Sequence, residues 1–99
     1  MTKIKKLVEH IEEEICGAKD YAEKYVEYKA RGNTQWATKF KEMANDEIKH
    51  AGYLHDLTIQ EIETLSKVYT PPVEMQKKWD EEHNEYVEKV AWVKQILTL

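Results

Sequence analysis

The chain has one cysteine, two prolines and three glycines in 99 residues, and each shortage closes off a class of protein. With Cys16 alone, neither an intrachain disulfide nor a cysteine-based zinc knuckle can form. So few prolines and glycines favour helices over sheets or disorder. No apolar run approaches the roughly 20 residues of a membrane span. The start Met1-Thr2-Lys3-Ile4-Lys5-Lys6 leads into an amphipathic pattern instead of a signal-peptide core, so a cytoplasmic protein is expected. An excess of positive charge is also missing. The net charge is −4 and the lysines are scattered, which leaves neither nucleic acid nor an anionic membrane as an expected partner.

What is plentiful is hydrophobic side chains, 41%, and charged ones, 34%, the composition of a single amphipathic helical domain over residues 1–99. A chain of this length buries only about 60 to 65% of its extended surface when it folds alone. Self-association as a homodimer or higher oligomer is therefore expected.

Three helices can be placed. The first runs from about Lys3 to Ala30, with Gly17 as its only interior breaker. Arg31-Gly32-Asn33-Thr34 ends it: Gly32 suits a left-handed C-terminal position, and Asn33 or Thr34 caps the next helix. So short a loop makes an antiparallel hairpin. The second helix continues from about Gln35 to Ser66 or Lys67, with Gly52 as a weak point. Val68-Tyr69-Thr70-Pro71-Pro72 then breaks the chain, because Pro72 can begin a helix but neither proline can sit inside one. A third helix reaches Leu97 with the seam Trp79, His83, Tyr86, Val90, Val93, Leu97. Its last stretch, Val90 to Leu97, is apolar on more than one side and is expected to dock on the hairpin or on another subunit.

Ionisable residues interrupt the seams of the first two helices. Ile4, Leu7, Ile11, Glu14, Ala18, Tyr21, Tyr25 and Tyr28 alternate in steps of three and four, as do Trp36, Phe40, Met43, Glu47, His50, Leu54 and Leu57. Carboxylates taken out of water need a compensating partner or a shifted pKa. Glu14 lies 18 residues before Gly32, and Glu47 and His50 lie 15 and 18 residues after it. At about 1.5 Å of rise per residue, all three stand roughly 22 to 27 Å from the turn. They are expected to converge at one level, and a metal ion is the simplest compensation. Glu47-x-x-His50 sets a carboxylate and an imidazole on one helix face. Oxygen ligands plus imidazole, without thiolate, suit iron or manganese, while zinc and copper would also bind.

In these residues the chain resembles the ferritin-like superfamily, in particular half of a rubrerythrin-type bundle or the short encapsulated ferritin-like proteins. The resemblance covers about residues 4–66 and rests on Glu14, on Glu47-x-x-His50-Ala51, and on Tyr21 one heptad after Glu14. In that family each of two helices supplies a Glu and each of two others a Glu-x-x-His inside a four-helix bundle. This chain has one copy of each. The resemblance therefore implies an all-α fold in which a long antiparallel hairpin pairs with that of a second chain, with two iron ions per dimer; manganese or zinc is possible. It implies Glu14 as a terminal ligand, Glu47 as the bridging carboxylate, His50 as the nitrogen ligand and Tyr21 as a neighbour that donates a hydrogen bond or an electron. The implied activity is that of a ferroxidase, an oxidoreductase that oxidises Fe(II) with O₂ or peroxide. No residues distinct from the metal ligands stand out as catalytic. Two features depart from the family pattern: no second Glu-x-x-His follows Pro72, and the ending Gln95-Ile96-Leu97-Thr98-Leu99 does not read as a tail for an encapsulin shell.

Other residues admit plainer readings. His10, one turn before Glu14, could hydrogen-bond a metal ligand or admit metal from the solvent side, but an exposed helix histidine is the plainer reading. Asp80-x-x-His83 on the third seam offers possible extra ligands, although a seam histidine is more often packed and hydrogen-bonded. His55 attracts no special role, and the glutamate clusters around Glu12 and Glu82 read as solvated faces. Two functions outside enzymology compete: a non-catalytic helical assembly protein whose polar seam sets register, and a structural zinc or manganese module.

Overall fold

The computed structural model describes every residue except Met1, Tyr69 and Pro71. The described residues form three helices and no strand: α1 Thr2–Ala30, α2 Thr34–Ser66 and α3 Val73–Ile96. The hairpin turn is built as its residues suggest. Gly32 adopts φ 76°, the Gly32 N–H donates to the Lys29 carbonyl at 3.0 Å and the Asn33 N–H to the Tyr28 carbonyl at 2.9 Å. This is a Schellman closure, which satisfies carbonyls that the helix end would otherwise leave free. Asn33 Oδ1 then accepts from the Trp36 N–H at 3.2 Å and caps α2. Of the expected break at 68–72, Tyr69 and Pro71 lie outside the described residues. Pro72 occupies the N-cap of α3, its carbonyl accepting from the N–H groups of Met75 and Gln76.

α2 runs antiparallel to α1, and Lys3 pairs with Glu61 at 3.0 Å near the far end of the hairpin. α3 returns parallel to α1: the start of α3 lies beside the start of α1, and Lys29 Nζ reaches the Leu99 carbonyl at the opposite end. The rod measures 55 × 17 × 17 Å. Both α2 and α3 pack on α1 and touch each other much less. The end of α3 docks on the chain's own hairpin, where Val93 and Leu97 are buried with Ala18, Ala22, Tyr25, Ala37 and Ala44.

One expectation about the core is corrected. The buried line of α2 is Ala37, Ala44, Ala51 and Thr58, one residue on from the bulky stripe of Trp36, Met43, His50 and Leu57. The physical reason is size. Alanine every seventh residue lets the two backbones approach closely, and Trp36, Met43 and Leu57 are displaced to the rim, where they are 37 to 45% exposed. On α1 the buried stripe gains Ile15 and Ala22 beside Ile4, Ile11, Ala18 and Tyr25, because this helix has a neighbour on each flank. Tyr21, Tyr28, Trp36 and Phe40 form a chain of ring contacts beside the hairpin turn, with centroids 5.3 to 6.2 Å apart.

Candidate metal centre

Helical spacing brings Glu47 and His50 onto one face of α2, and the hairpin sets Glu14 of α1 at their level. One ligand atom from each of these three residues lies within 4.8 Å of the other two. The Nδ1 atom of His50 faces both carboxylates, 3.7 Å from Glu14 Oε2 and 4.0 Å from Glu47 Oε1. From the other side, His10 Nε2 stands 3.2 Å from Glu14 Oε1. The convergence expected of Glu14, Glu47 and His50 is thus present, and His10 does adjoin it.

The same rotation of α2 that buries its alanines leaves the cluster at the edge of the core. The side chains of Glu14 and Glu47 are 18% and 26% exposed, and that of His50 is 53% exposed. In the single chain these groups are shielded but not sealed from water, so the full cost of burying a carboxylate is not incurred.

Two carboxyl groups this close do not both ionise freely. A hydrogen bond from Glu47 to Glu14 raises the Glu47 pKa above the ordinary carboxylate value, with burial and the Glu14 charge adding to the effect. The same bond lowers that of Glu14, where the charges of His50 and His10 further favour ionisation. The two pKa values are therefore driven apart: Glu14 ionises first, and Glu47 keeps its proton to higher pH. A divalent cation can take the place of that proton, since it meets the same oxygens with more positive charge.

Gly17 completes the site from below, a role that its reading as a helix breaker missed. A Cβ at Gly17 would stand 3.1 Å from Glu47 Oε2. The absent side chain is the space in which the carboxylate lies. The available signal was its position on α1, one turn after Glu14.

The remaining candidates lie elsewhere. Tyr21 is half-buried and stacks on Phe40 at 6.2 Å, with no hydrogen bond to the cluster among the described residues. Asp80 is exposed and accepts from Gln76 Nε2 at 3.1 Å. His83 packs with His55, Trp79 and Tyr86 at the junction of α2 and α3. The grouping of three close ligand atoms does not include Asp80 or His83. Glu12 and Glu82, read as solvated charge, lie side by side between α1 and α3, and the hydrogen bond to Glu12 raises the Glu82 pKa.

The class these features define is a three-helix protein with a glutamate–glutamate–histidine cluster suited to a cation. Comparison with protein-family models, with curated proteins and with solved structures gives no match. No helix among the described residues is long and apolar enough to cross a membrane.

Proposed function

We propose that this chain is a ferritin-like metal protein in which two copies pair across the open face of the hairpin and oxidise Fe(II) with O₂ or peroxide. The observation that carries this reading is the meeting of Glu14, Glu47 and His50 within 4.8 Å, drawn from two helices. Oxygen-rich donors with one imidazole match the preferences of iron and manganese.

Pairing is supported by what surrounds the cluster. Trp36, Met43 and Leu57 lie exposed along α2 on either side of Glu47 and His50. Covering this stripe would dry the site and bring a second set of the same ligands beside the first, the isologous arrangement a two-fold axis produces. Four carboxylates and two imidazoles would then face two divalent ions. In each half Glu14, Glu47 and His50 would hold one ion, with His10 beside Glu14. Each Fe(II) held there would give up one electron to the oxidant.

The test is aerobic addition of Fe(II) to the metal-free protein, followed by the ultraviolet absorbance of ferric iron, with the mass in solution measured in parallel. Oxidation faster than in buffer, about two iron ions per pair of chains, and loss of both in Glu47→Ala are expected. Oxidation at the buffer rate rejects the catalytic reading. The exposed apolar stripe also supports a second reading, a purely structural assembly, which requires that pairing persist unchanged after chelation and in Glu47→Ala.

A further inference from the structure

The four histidines divide into two pairs. His10 and His50 face the Glu14 cluster; His55 and His83 meet on the other flank of α1. His55 lies five residues beyond His50, about 140° round the helix at 100° per residue, so one helix supplies an imidazole to each side. On that flank His55, Trp79, His83 and Tyr86 surround a cavity floored by Ile11 and Ile15 of α1.

Only one nitrogen of His55 has a partner. Its Nδ1 lies 3.3 Å from Asp56 Oδ1 and donates to that carboxylate. In the neutral ring the lone pair is then on Nε2, which is buried with no hydrogen-bond partner among the described residues. Tyr86 cannot supply one in this position, because its ring lies flat on the imidazole, 5.0 Å between centroids and 9° between planes. A buried acceptor without a donor is a defect that folded proteins seldom keep. The imidazole of His83 is 5.0 Å away, centre to centre. Two imidazoles that share one tetrahedral ion through bonds of about 2.0–2.1 Å have ring centres roughly 5 Å apart.

We propose that His55 Nε2 and His83 bind one transition-metal ion of the zinc or copper class, independently of the Glu14 cluster. Asp56 behind His55 supplies the outer carboxylate that fixes tautomer and ring orientation in histidine–metal sites. Glu12 and Glu82 line the same cavity, and water would fill the remaining positions on the ion. Nitrogen donors select zinc or copper over iron and manganese, so the two sites differ in the ion they favour. The ion would act as a clip. α2 and α3 make few contacts with each other, and among them His55 of α2 packs on the rings of Trp79, His83 and Tyr86 of α3.

The test is a Zn²⁺ titration of the full chain with ¹⁵N-labelled histidine, read by side-chain NMR. The expected result is that His55 and His83 resonances move together and saturate at one ion per chain. His83→Asn should abolish the His55 response, and Asp56→Asn should weaken it about 10- to 100-fold, the usual effect of losing an outer-shell partner. A response confined to His10 and His50, no response at any histidine, or His55 binding that persists unchanged in His83→Asn would overturn the proposal. Because each histidine is read separately, failure here is distinct from failure of the iron reading.

Discussion

Gly17 of α1 lies against the carboxylate of Glu47 of α2, so closely that one added carbon would stand 3.1 Å from Oε2. Stability and binding should therefore respond in opposite directions to Gly17→Ala. Alanine in the middle of a helix gains about 0.5–1 kcal/mol over glycine. The Glu47 side chain, at the rim of the core, can give by the few tenths of an ångström required. The expected outcome is a melting temperature a few degrees higher, together with metal affinity reduced severalfold because the carboxylate has been displaced. Differential scanning calorimetry and a metal titration on the same sample would separate the two effects.

The opposed pKa shifts of Glu14 and Glu47 predict how the metal-free protein responds to pH. Glu47 has a raised folded pKa, so its favourable contribution is complete below the unfolded carboxylate value and is lost as pH rises through the folded one. Glu14 has a lowered one, so its contribution is present above the unfolded value and is lost as pH falls through the folded one. The pair is most favourable between the two. In Glu47→Gln the amide donates to Glu14 at every pH, and the decline in urea midpoint on the alkaline side should flatten. Metal binding by the wild type should strengthen over that same alkaline step and release protons, as calorimetry in buffers of different ionisation enthalpy would show.

Glu82 allows the same reasoning away from the proposed iron site. Its pKa is raised chiefly by the hydrogen bond with Glu12. Stability that depends on the Glu82 proton is full below the unfolded value and falls as pH rises through the folded one. Glu82→Gln should therefore raise the urea midpoint at neutral pH and leave it nearly unchanged at pH 4. Equal shifts at both values would contradict a raised Glu82 pKa.

The alanine line of α2 should tolerate far less than the stripe beside it. Ala44 is fully buried between the helices, so Ala44→Leu forces them apart at a cost of about 1–3 kcal/mol. Met43, its neighbour, is 37% exposed. Met43→Glu should change single-chain stability little, within about 0.5 kcal/mol. If the stripe pairs two chains, the same change should halve the mass in solution, as measured by light scattering.

The boundaries of the helices were legible because Gly32, Asn33 and Pro72 each do one thing well in a chain otherwise free of interruption. The level shared by Glu14, Glu47 and His50 was legible too, since it needs only the helical rise and the position of the turn. The rotation of α2 was not. Hydrophobic bulk marks a stripe, but the closest contact between helices goes to the smallest side chains, and Ala37, Ala44 and Ala51 are passed over when a seam is drawn through bulky residues. Gly17 and His55 were missed for a related reason. What matters about each is a neighbour on another helix, Glu47 for the first and the rings of α3 for the second.

Glu12 and Glu14, two residues apart on α1, point to opposite flanks, about 200° around the helix. One reaches α3 and the other α2. α1 is thus the spine from which both neighbours hang, and should two chains join through the hairpin's open side, each α3 would form an outer wall. Trp92 and Val87, 40% and 50% uncovered on that wall, would then be what the joined pair presents to any larger architecture.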